Sequence, residues 1–120
     1  MQKRTLTDAE RRDWLRLFRS ENVGPATFLT LIDHFADAGR AIEAAPELSR
    51  RGGRKRAIRI APVTEIEEEI AALSELGGRM IALCEPDYPE ALAAIHDPPP
   101  VLSVLGDSAV LSRPSVAVVG

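Results

Sequence analysis

The sequence contains one cysteine, one tryptophan and one tyrosine among 120 residues, and aromatic side chains make up 4% of it. A single thiol excludes an internal disulfide and is typical of a reducing compartment. No apolar run reaches the ~20 residues that a membrane-spanning helix needs, and the N-terminal residues lack the apolar segment of a secretory signal. We therefore expect a cytoplasmic protein that has no membrane partner.

The sequence also lacks the side-chain patterns that carry catalysis or hold a metal. His34 and His96 stand far apart and match no metal-ligand spacing. Cys84 has no activating base nearby and falls in an apolar run, where we expect it to point into the core. No serine has the context of a nucleophile elbow. The sequence therefore predicts a non-enzymatic protein with no cofactor and no metal site.

Charge is distributed unevenly along the chain, whose net charge is −3. Residues 1–60 contain 13 basic and 8 acidic residues, whereas residues 61–120 contain 2 basic and 10 acidic residues. This asymmetry indicates that a polyanionic partner would meet the N-terminal half. Solvated helix faces account for the same charges equally well, so both interpretations stay open at this point.

The first third of the chain has the boundary signals and the apolar spacing of two helices. Thr7 and Glu10 form a capping box, which predicts a first helix from Asp8 to Arg19. Pro25 suits the first position of a second helix, because its fixed φ and missing N–H cost nothing there. The expected buried stripes consist of Trp14, Leu17 and Phe18, followed by Phe28, Leu31, Ile32 and Phe35.

Further helices are predicted between the second helix and residue 77. Asp37 is expected to cap a short third helix, and Pro46 and Gly52-Gly53 are expected to bound a short fourth. A second capping box at Thr64 predicts the start of another helix, and Gly77-Gly78 its end. The apolar stripe of that last helix is Ile66, Ile70 and Leu73.

From Arg79 the apolar residues occur in short runs that are typical of strands. We expect strands at residues 79–84, 101–105 and 115–119, and short helices at residues 88–95 and 108–111. Strands that alternate with short helices favour an α/β sheet. The predicted fold class is therefore α/β overall, with an all-α module over residues 1–77 followed by the start of a sheet domain over residues 78–120, truncated at Gly120.

The segment Asn22-Val23-Gly24-Pro25-Ala26 joins the first two predicted helices and has the shape of a helix-hairpin-helix turn. Such a turn exposes backbone N–H groups at a helix N-terminus, which can hold a phosphate without reading base sequence. Val23, Gly24 and Ala26 are therefore candidate phosphate-binding residues. Asn22 stands where these hairpins usually have a glycine, and asparagine tolerates the left-handed conformation. A purely structural turn is the alternative, because Glu21 puts a negative charge beside the site.

A basic cluster lies between the predicted third and last helices. Its members fall within ten residues and are Arg50, Arg51, Arg54, Lys55, Arg56 and Arg59. We take the first five as candidate DNA contacts, which would act additively and with strong salt dependence. No aromatic residue is interleaved with them, so base stacking is not expected. The alternative is an exposed loop that pairs with the glutamates of the following helix.

Landmarks in the second half give the sequence a family resemblance. In chain order they are Asp87-Tyr88-Pro89, Asp97-Pro98-Pro99-Pro100, Gly106-Asp107, Arg113-Pro114 and Val116-Ala117-Val118-Val119-Gly120. This run resembles the opening segment of the DNA-processing protein A family (DprA, also called Smf), and residues 20–28 and 46–53 resemble the helical module that precedes it there. The resemblance implies a helical domain like the sterile alpha motif (SAM-like), leading into an extended Rossmann fold that is incomplete in this sequence.

The resemblance also implies a function. Members bind incoming single-stranded DNA during natural transformation, protect it and help to load RecA recombinase. The Rossmann domain of the family carries the main DNA site and the dimer surface, so a homodimer through the full domain is implied. A phosphate-holding loop would follow Gly120, which is carried over only as the start of that loop. The residues leave two alternatives open: a nucleotide-processing enzyme of a related Rossmann family, and a helical protein-interaction domain.

Overall fold

Helices come first in the fold, and a small sheet follows them. The computed structural model describes residues 2–51 and 58–114; for residues 48–51 and Ser108 the description is of the backbone. The elements in chain order are α1 (Asp8–Arg19), α2 (Pro25–Phe35), α3 (Ala38–Arg51), α4 (Val63–Glu75), β1 (Arg79–Ala82), α5 (Glu90–Ala93), β2 (Val101–Val104) and a 3₁₀ helix (Ser108–Ser112). This order confirms the predicted α/β class with a helical N-terminal module.

Helix α1 has the predicted boundaries, α2 begins at the predicted Pro25, and both pack through the predicted faces. The Glu10 N–H donates to the Thr7 hydroxyl at 3.2 Å and the Thr7 N–H donates to the Glu10 carboxylate at 3.1 Å, so the capping box is complete. The rings of Trp14 and Phe28 lie with their centroids 5.0 Å apart. Around this pair the main core contains the buried side chains of Leu17, Leu31 and Ile32.

A single helix, α3, replaces the two short helices predicted on either side of Pro46. Asp37 caps it as predicted, since its carboxylate accepts from the Gly39 N–H at 2.7 Å. Pro46 lies inside the helix, where it cannot donate one of the helical hydrogen bonds. The helix continues because its packing against α1 and α2 outweighs that local cost; the buried stripe is Ala38, Ala41 and Ala45. The predicted stop at Gly52-Gly53 lies outside the described residues.

Helix α4 begins one residue before the predicted cap and ends as predicted. Its N-cap is Pro62, and Thr64 is already the second helical residue, so the expected capping box is not formed. At the other end, Gly77 has a left-handed φ of +75°. The Gly78 N–H donates to the Leu73 carbonyl and the Gly77 N–H to the Ser74 carbonyl, both at 2.9 Å. These two bonds form a Schellman motif, which turns the chain from α4 into β1.

The sheet contains β1 and β2 in antiparallel pairing, with Arg79 opposite Val104 and Ala82 opposite Val101. Doubly wound sheets often have an antiparallel strand at one edge, so this pair is consistent with part of a Rossmann-like sheet. The Tyr88 hydroxyl donates to the Pro99 carbonyl at 2.8 Å, which holds the Pro98-Pro99-Pro100 connector against the start of α5. Burial raises the pKa of Tyr88 to about 12. The third predicted strand, residues 115–119, lies outside the described residues.

The main core contains residues from the helices and from the sheet region. Ala82 and Cys84 are buried in the same cluster as Trp14 and Phe28, which confirms that Cys84 points inward. A second cluster joins Ile81, Tyr88 and Val104 on the other side of the sheet. We keep the division of the chain into residues 1–77 and 78–120 as a proposal for its organisation.

A buried carboxylate, Glu85, fixes the sheet to the helices. Its two oxygens accept from Arg11 Nε at 2.9 Å and from Arg11 Nη2 at 2.6 Å, and further from the backbone N–H groups of Ala82 and Leu6 at 2.9 and 3.3 Å. Burial by itself would raise the pKa of Glu85. The donors from Arg11 and the two amides outweigh it and hold that pKa below the ordinary value of 4.5.

We expect Glu85→Gln to destabilise the fold by about 2 kcal/mol near neutral pH, because charge-assisted hydrogen bonds to a buried group are lost. A depressed carboxyl pKa contributes stability above its unfolded value and loses it as the pH falls through the folded value. The difference in the free energy of unfolding between wild type and Glu85→Gln should therefore become smaller below about pH 4.5. Urea unfolding at neutral and acid pH measures both quantities.

The exposed Glu68 of α4 supplies the matched control. Its change to Gln should alter the free energy of unfolding by no more than about 0.5 kcal/mol. The role assigned to Glu85 would be contradicted if the free energies of unfolding of wild type and Glu85→Gln differed little at neutral pH, or differed more in acid.

Candidate nucleic-acid interface

The turn between α1 and α2 has its left-handed residue at Asn22, where φ is +66°. Asparagine is expected from its residue type to tolerate this conformation, and it does. Gly24 instead has φ −92° and ψ −177°, an extended conformation open to any residue, and a Cβ placed there would meet nothing within 4 Å. The sharp bend of the hairpin therefore depends on Asn22 rather than on the glycine.

Of the three turn residues predicted to bind phosphate, two are accessible. Gly24 and Ala26 are exposed, while Val23 is 7% exposed and packs in the main core. The Val23 N–H donates to the Ser20 carbonyl at 3.3 Å, so the turn itself uses that donor. Val23 therefore supports the hairpin from inside, and Gly24 and Ala26 form its outer edge.

The N-terminus of α2 has the features of an anion-binding position. Gly24 is the N-cap and makes no side-chain hydrogen bond to the first turn, Pro25 follows it, and no acidic residue lies in that turn. The first N–H groups of a helix have no intrahelical acceptor, and the helix dipole favours a negative group beside them. An exposed phosphate oxygen could accept from this end of α2 without base contacts.

Glu21 has a partner that the sequence does not predict. Its N–H donates to the Arg59 carbonyl at 2.9 Å in an isolated antiparallel bridge. The side chains also approach, with 3.8 Å between Arg59 Nε and Glu21 Oε2. The negative charge beside the turn is therefore accompanied by a positive one. No sequence signal could have found this pair, because a single β-bridge between distant segments has no periodicity.

The structure places the basic cluster only in part. Arg50 and Arg51 are the last residues of α3, and Arg59 lies beside the turn at Glu21. Arg54, Lys55 and Arg56 lie outside the described residues, as does Gly120. The described members of the cluster therefore lie at the end of α3 and beside the hairpin turn, where Arg59 neighbours the predicted turn residues.

Many of the remaining arginines pair with the acidic second half of the chain. Arg19 makes two hydrogen bonds of 3.0 Å to Glu69, and these raise the pKa of its guanidinium above the ordinary value. Arg12 lies 3.9 Å from Glu67. Together with the Arg11 pair to Glu85, these contacts use acidic residues beyond residue 61 to neutralise α1. Part of the charge asymmetry of the sequence is therefore matched by ion pairs between its two halves.

Other kinds of site find no support in the described ranges. Among residues 2–51 and 58–114, no group of three or more His, Cys, Asp or Glu side chains is placed to hold a metal ion. Burial raises the pKa of the Cys84 thiol, which keeps it in its unreactive protonated form. No helix in the described part of the chain is long and apolar enough to cross a membrane.

Two protein-family models match this chain. The model described as the DprA-like N-terminal HHH domain (helix-hairpin-helix) matches residues 8–72, which is more than half of the chain. The model described as DNA recombination-mediator protein A matches residues 79–120. The first match covers α1 to α3, the hairpin turn and most of α4, and the second begins at β1. No curated protein matches the chain.

The left-handed conformation of Asn22 can be tested by two substitutions at that position. We expect Asn22→Ala to be less stable than Asn22→Gly by about 1 kcal/mol, because a Cβ is strained at positive φ and glycine is not. Chemical unfolding of the two variants gives the difference. As a control, Gly24→Ala should not show the strain of a left-handed residue, since its φ is negative. Equal stability of the two Asn22 variants would contradict the conformation.

Proposed function

This chain belongs to the DNA recombination-mediator protein A family, and on that premise we propose that it binds incoming single-stranded DNA during natural transformation. The family gives it a role in DNA processing and recombination. The finer proposal is that it protects the strand and helps to load RecA recombinase. What supports it is the coincidence of the matched hairpin domain with an accessible, uncapped helix N-terminus beside a basic segment.

The proposed contacts are with the phosphate backbone. The exposed end of α2 at Gly24 and Ala26 would donate backbone N–H groups to a phosphate. Non-specific, salt-dependent contacts would be added by Arg50, Arg51, Arg54, Lys55 and Arg56. Neither set reads base edges, so the predicted binding is independent of sequence. This suits a protein that must handle any incoming strand.

The proposal extends to partners and location. We propose RecA as the protein partner, a homodimer formed through a full Rossmann domain, and action in the cytoplasm, where RecA filaments form on DNA. We also propose that the protein acts by binding and not by catalysis, in keeping with a family of recombination mediators.

The direct experiment measures binding of a fluorescently labelled single-stranded oligonucleotide to the chain by anisotropy at low and moderate salt, with unlabelled duplex as competitor. Preferred, salt-sensitive binding of the single strand supports the proposal. A second arm follows RecA filament growth on the same strand with and without the chain. Failure to bind single strands at low salt would overturn the DNA-binding proposal. Binding without any effect on the growth of RecA filaments would overturn the proposal that the protein helps to load RecA.

Neutralising the basic cluster should weaken binding and flatten its salt dependence. For the variant with Arg50, Arg51, Arg54 and Arg56 changed to Gln, we expect the slope of log K against log salt to fall by about 0.7 for each phosphate that is no longer neutralised. Anisotropy titrations at three or more salt concentrations measure the slope.

The control for the cluster is a pair of variants matched in charge. Lys3→Gln/Arg40→Gln removes two exposed positive charges, and Arg40 lies at the opposite end of α3 from the cluster. Arg50→Gln/Arg51→Gln removes the same number inside the cluster. If the two double variants lost equal affinity for the single-stranded oligonucleotide, the effect would be one of general charge, and a phosphate-binding role for the cluster would be excluded.

Changing the N-cap of α2 separates stability from binding. In Gly24→Ser the new hydroxyl can accept from the first-turn N–H groups, which should stabilise the fold by a few tenths of a kcal/mol. The same bond would occupy donors that a phosphate needs, so we expect single-strand affinity to fall by roughly fivefold, the equivalent of about 1 kcal/mol. Chemical unfolding and anisotropy measure the two effects.

Gly24→Ala is the matched control, because a Cβ fits at this position without contact and adds no acceptor. Its affinity should stay within about twofold of wild type. Equal weakening by both variants would assign the effect to added bulk, and unchanged affinity of Gly24→Ser would remove the α2 N-terminus from the interface.

A further inference from the structure

The contact between Glu21 and Arg59 joins the hairpin turn to the basic segment in two ways. The backbone bridge has a 2.9 Å hydrogen bond from the Glu21 N–H to the Arg59 carbonyl. The side chains point into solvent, with exposed fractions of 81% for Arg59 and 64% for Glu21. The backbone contact is therefore firm, whereas the side-chain contact is open to a third group.

Neighbouring hydrogen bonds hold the bridge rigidly in place. The Ala61 N–H donates to the Ser20 hydroxyl at 3.0 Å, and that hydroxyl donates to the Arg16 carbonyl at 2.8 Å. Arg16 Nε in turn donates to the Ala61 carbonyl at 2.8 Å. Ser20, Ile58 and Ala61 are all buried. The Cα of Arg59 thus has a fixed position beside the turn, while its side chain can change partner.

The ion pair itself is weak. At 3.8 Å the Nε to Oε2 distance is too long for a hydrogen bond, and exposed ion pairs of this kind contribute little in water. A phosphate can instead take two parallel N–H donors from one guanidinium, which is the geometry in which arginine binds anions best. Exchange of the Glu21 carboxylate for a phosphate would therefore cost little and form a better pair.

We propose that Arg59 is a phosphate contact of the DNA surface and that Glu21 is its internal competitor, displaced when a nucleic-acid phosphate arrives. This inference rests on the proposed function of the same surface. The Glu21 carboxylate occupies Arg59 in the free protein and thereby limits the affinity for any passing anion. Arg59 would thereby add a guanidinium to the candidate phosphate site at the hairpin turn.

A purely structural ion pair is the competing interpretation, and a double-variant cycle separates the two. The variants are Glu21→Gln, Arg59→Gln and the combination, each titrated with labelled single-stranded oligonucleotide at low salt. We expect Glu21→Gln to bind about threefold more tightly, because the competitor is gone while the arginine remains. Arg59→Gln should bind more weakly, and the combination should match Arg59→Gln, since no guanidinium is left to release.

Asp33→Asn provides the matched control for charge. Asp33 is an exposed carboxylate of α2, and its neutralisation removes the same unit of negative charge. Any gain in affinity that it gives should be the same with and without Arg59. The gain from Glu21→Gln should instead disappear in the Arg59→Gln background. Thermal unfolding of all variants tests the structural interpretation, which predicts lower midpoints for both single variants.

The outcomes distinguish this inference from the proposed function. Wild-type chain that fails to bind single strands overturns the proposed function itself. Wild-type binding with no gain from Glu21→Gln, or with a gain that persists without Arg59, overturns the inference alone. Lower unfolding midpoints for both single variants, with affinity unchanged in the folded protein, would identify the pair as structural and likewise overturn it.

Discussion

The buried carboxylate of Glu85 is the constraint on which the arrangement of this molecule depends. It accepts from the Arg11 side chain on α1, from Ala82 at the end of β1 and from Leu6 in the segment before α1. A charge that is 4% exposed cannot lose these donors without a large penalty. The Arg4 N–H adds a bond to the Cys84 carbonyl at 2.8 Å. One side chain therefore fixes α1 and the segment before it to the end of β1.

Ion pairs between the two halves of the chain account for part of the charge pattern of the sequence. Glu67 and Glu69 of α4 and the buried Glu85 lie against arginines of α1, and the Arg11 pair with Glu85 is the one that serves the fold. The candidate surface for DNA is correspondingly smaller than the count of basic residues suggests. It consists of the hairpin edge and the segment that ends at Arg59, and Glu21 is the acidic residue that the fold brings to it.

Local signals predicted most of the elements, and non-local packing decided the rest. The capping box at Thr7, Pro25 at the start of α2 and the glycine pair after α4 each specify a boundary through contacts within a few residues. Pro46 indicated a helix boundary that does not exist. Helix α3 continues through it because its alanine face packs against α1 and α2, which are distant in sequence from Pro46. The turn residues of the candidate site were predicted from their types. The bridge at Arg59 could not be, since it joins segments separated by a whole helical pair.

The position of Cys84 gives the protein a built-in reporter. Its thiol, 3% exposed, lies where the sheet meets the helical core, and burial raises its pKa. A thiol reagent can attack it only during excursions that part the two layers and let the sulfur ionise in water. Cys84 is the one thiol in the chain. The rate at which it is modified therefore reports the opening of this part of the structure, as amide exchange does for backbone groups. A variant that loses DNA binding because the layers separate should therefore show faster modification of Cys84, whereas one that loses it because the hairpin shifts should not.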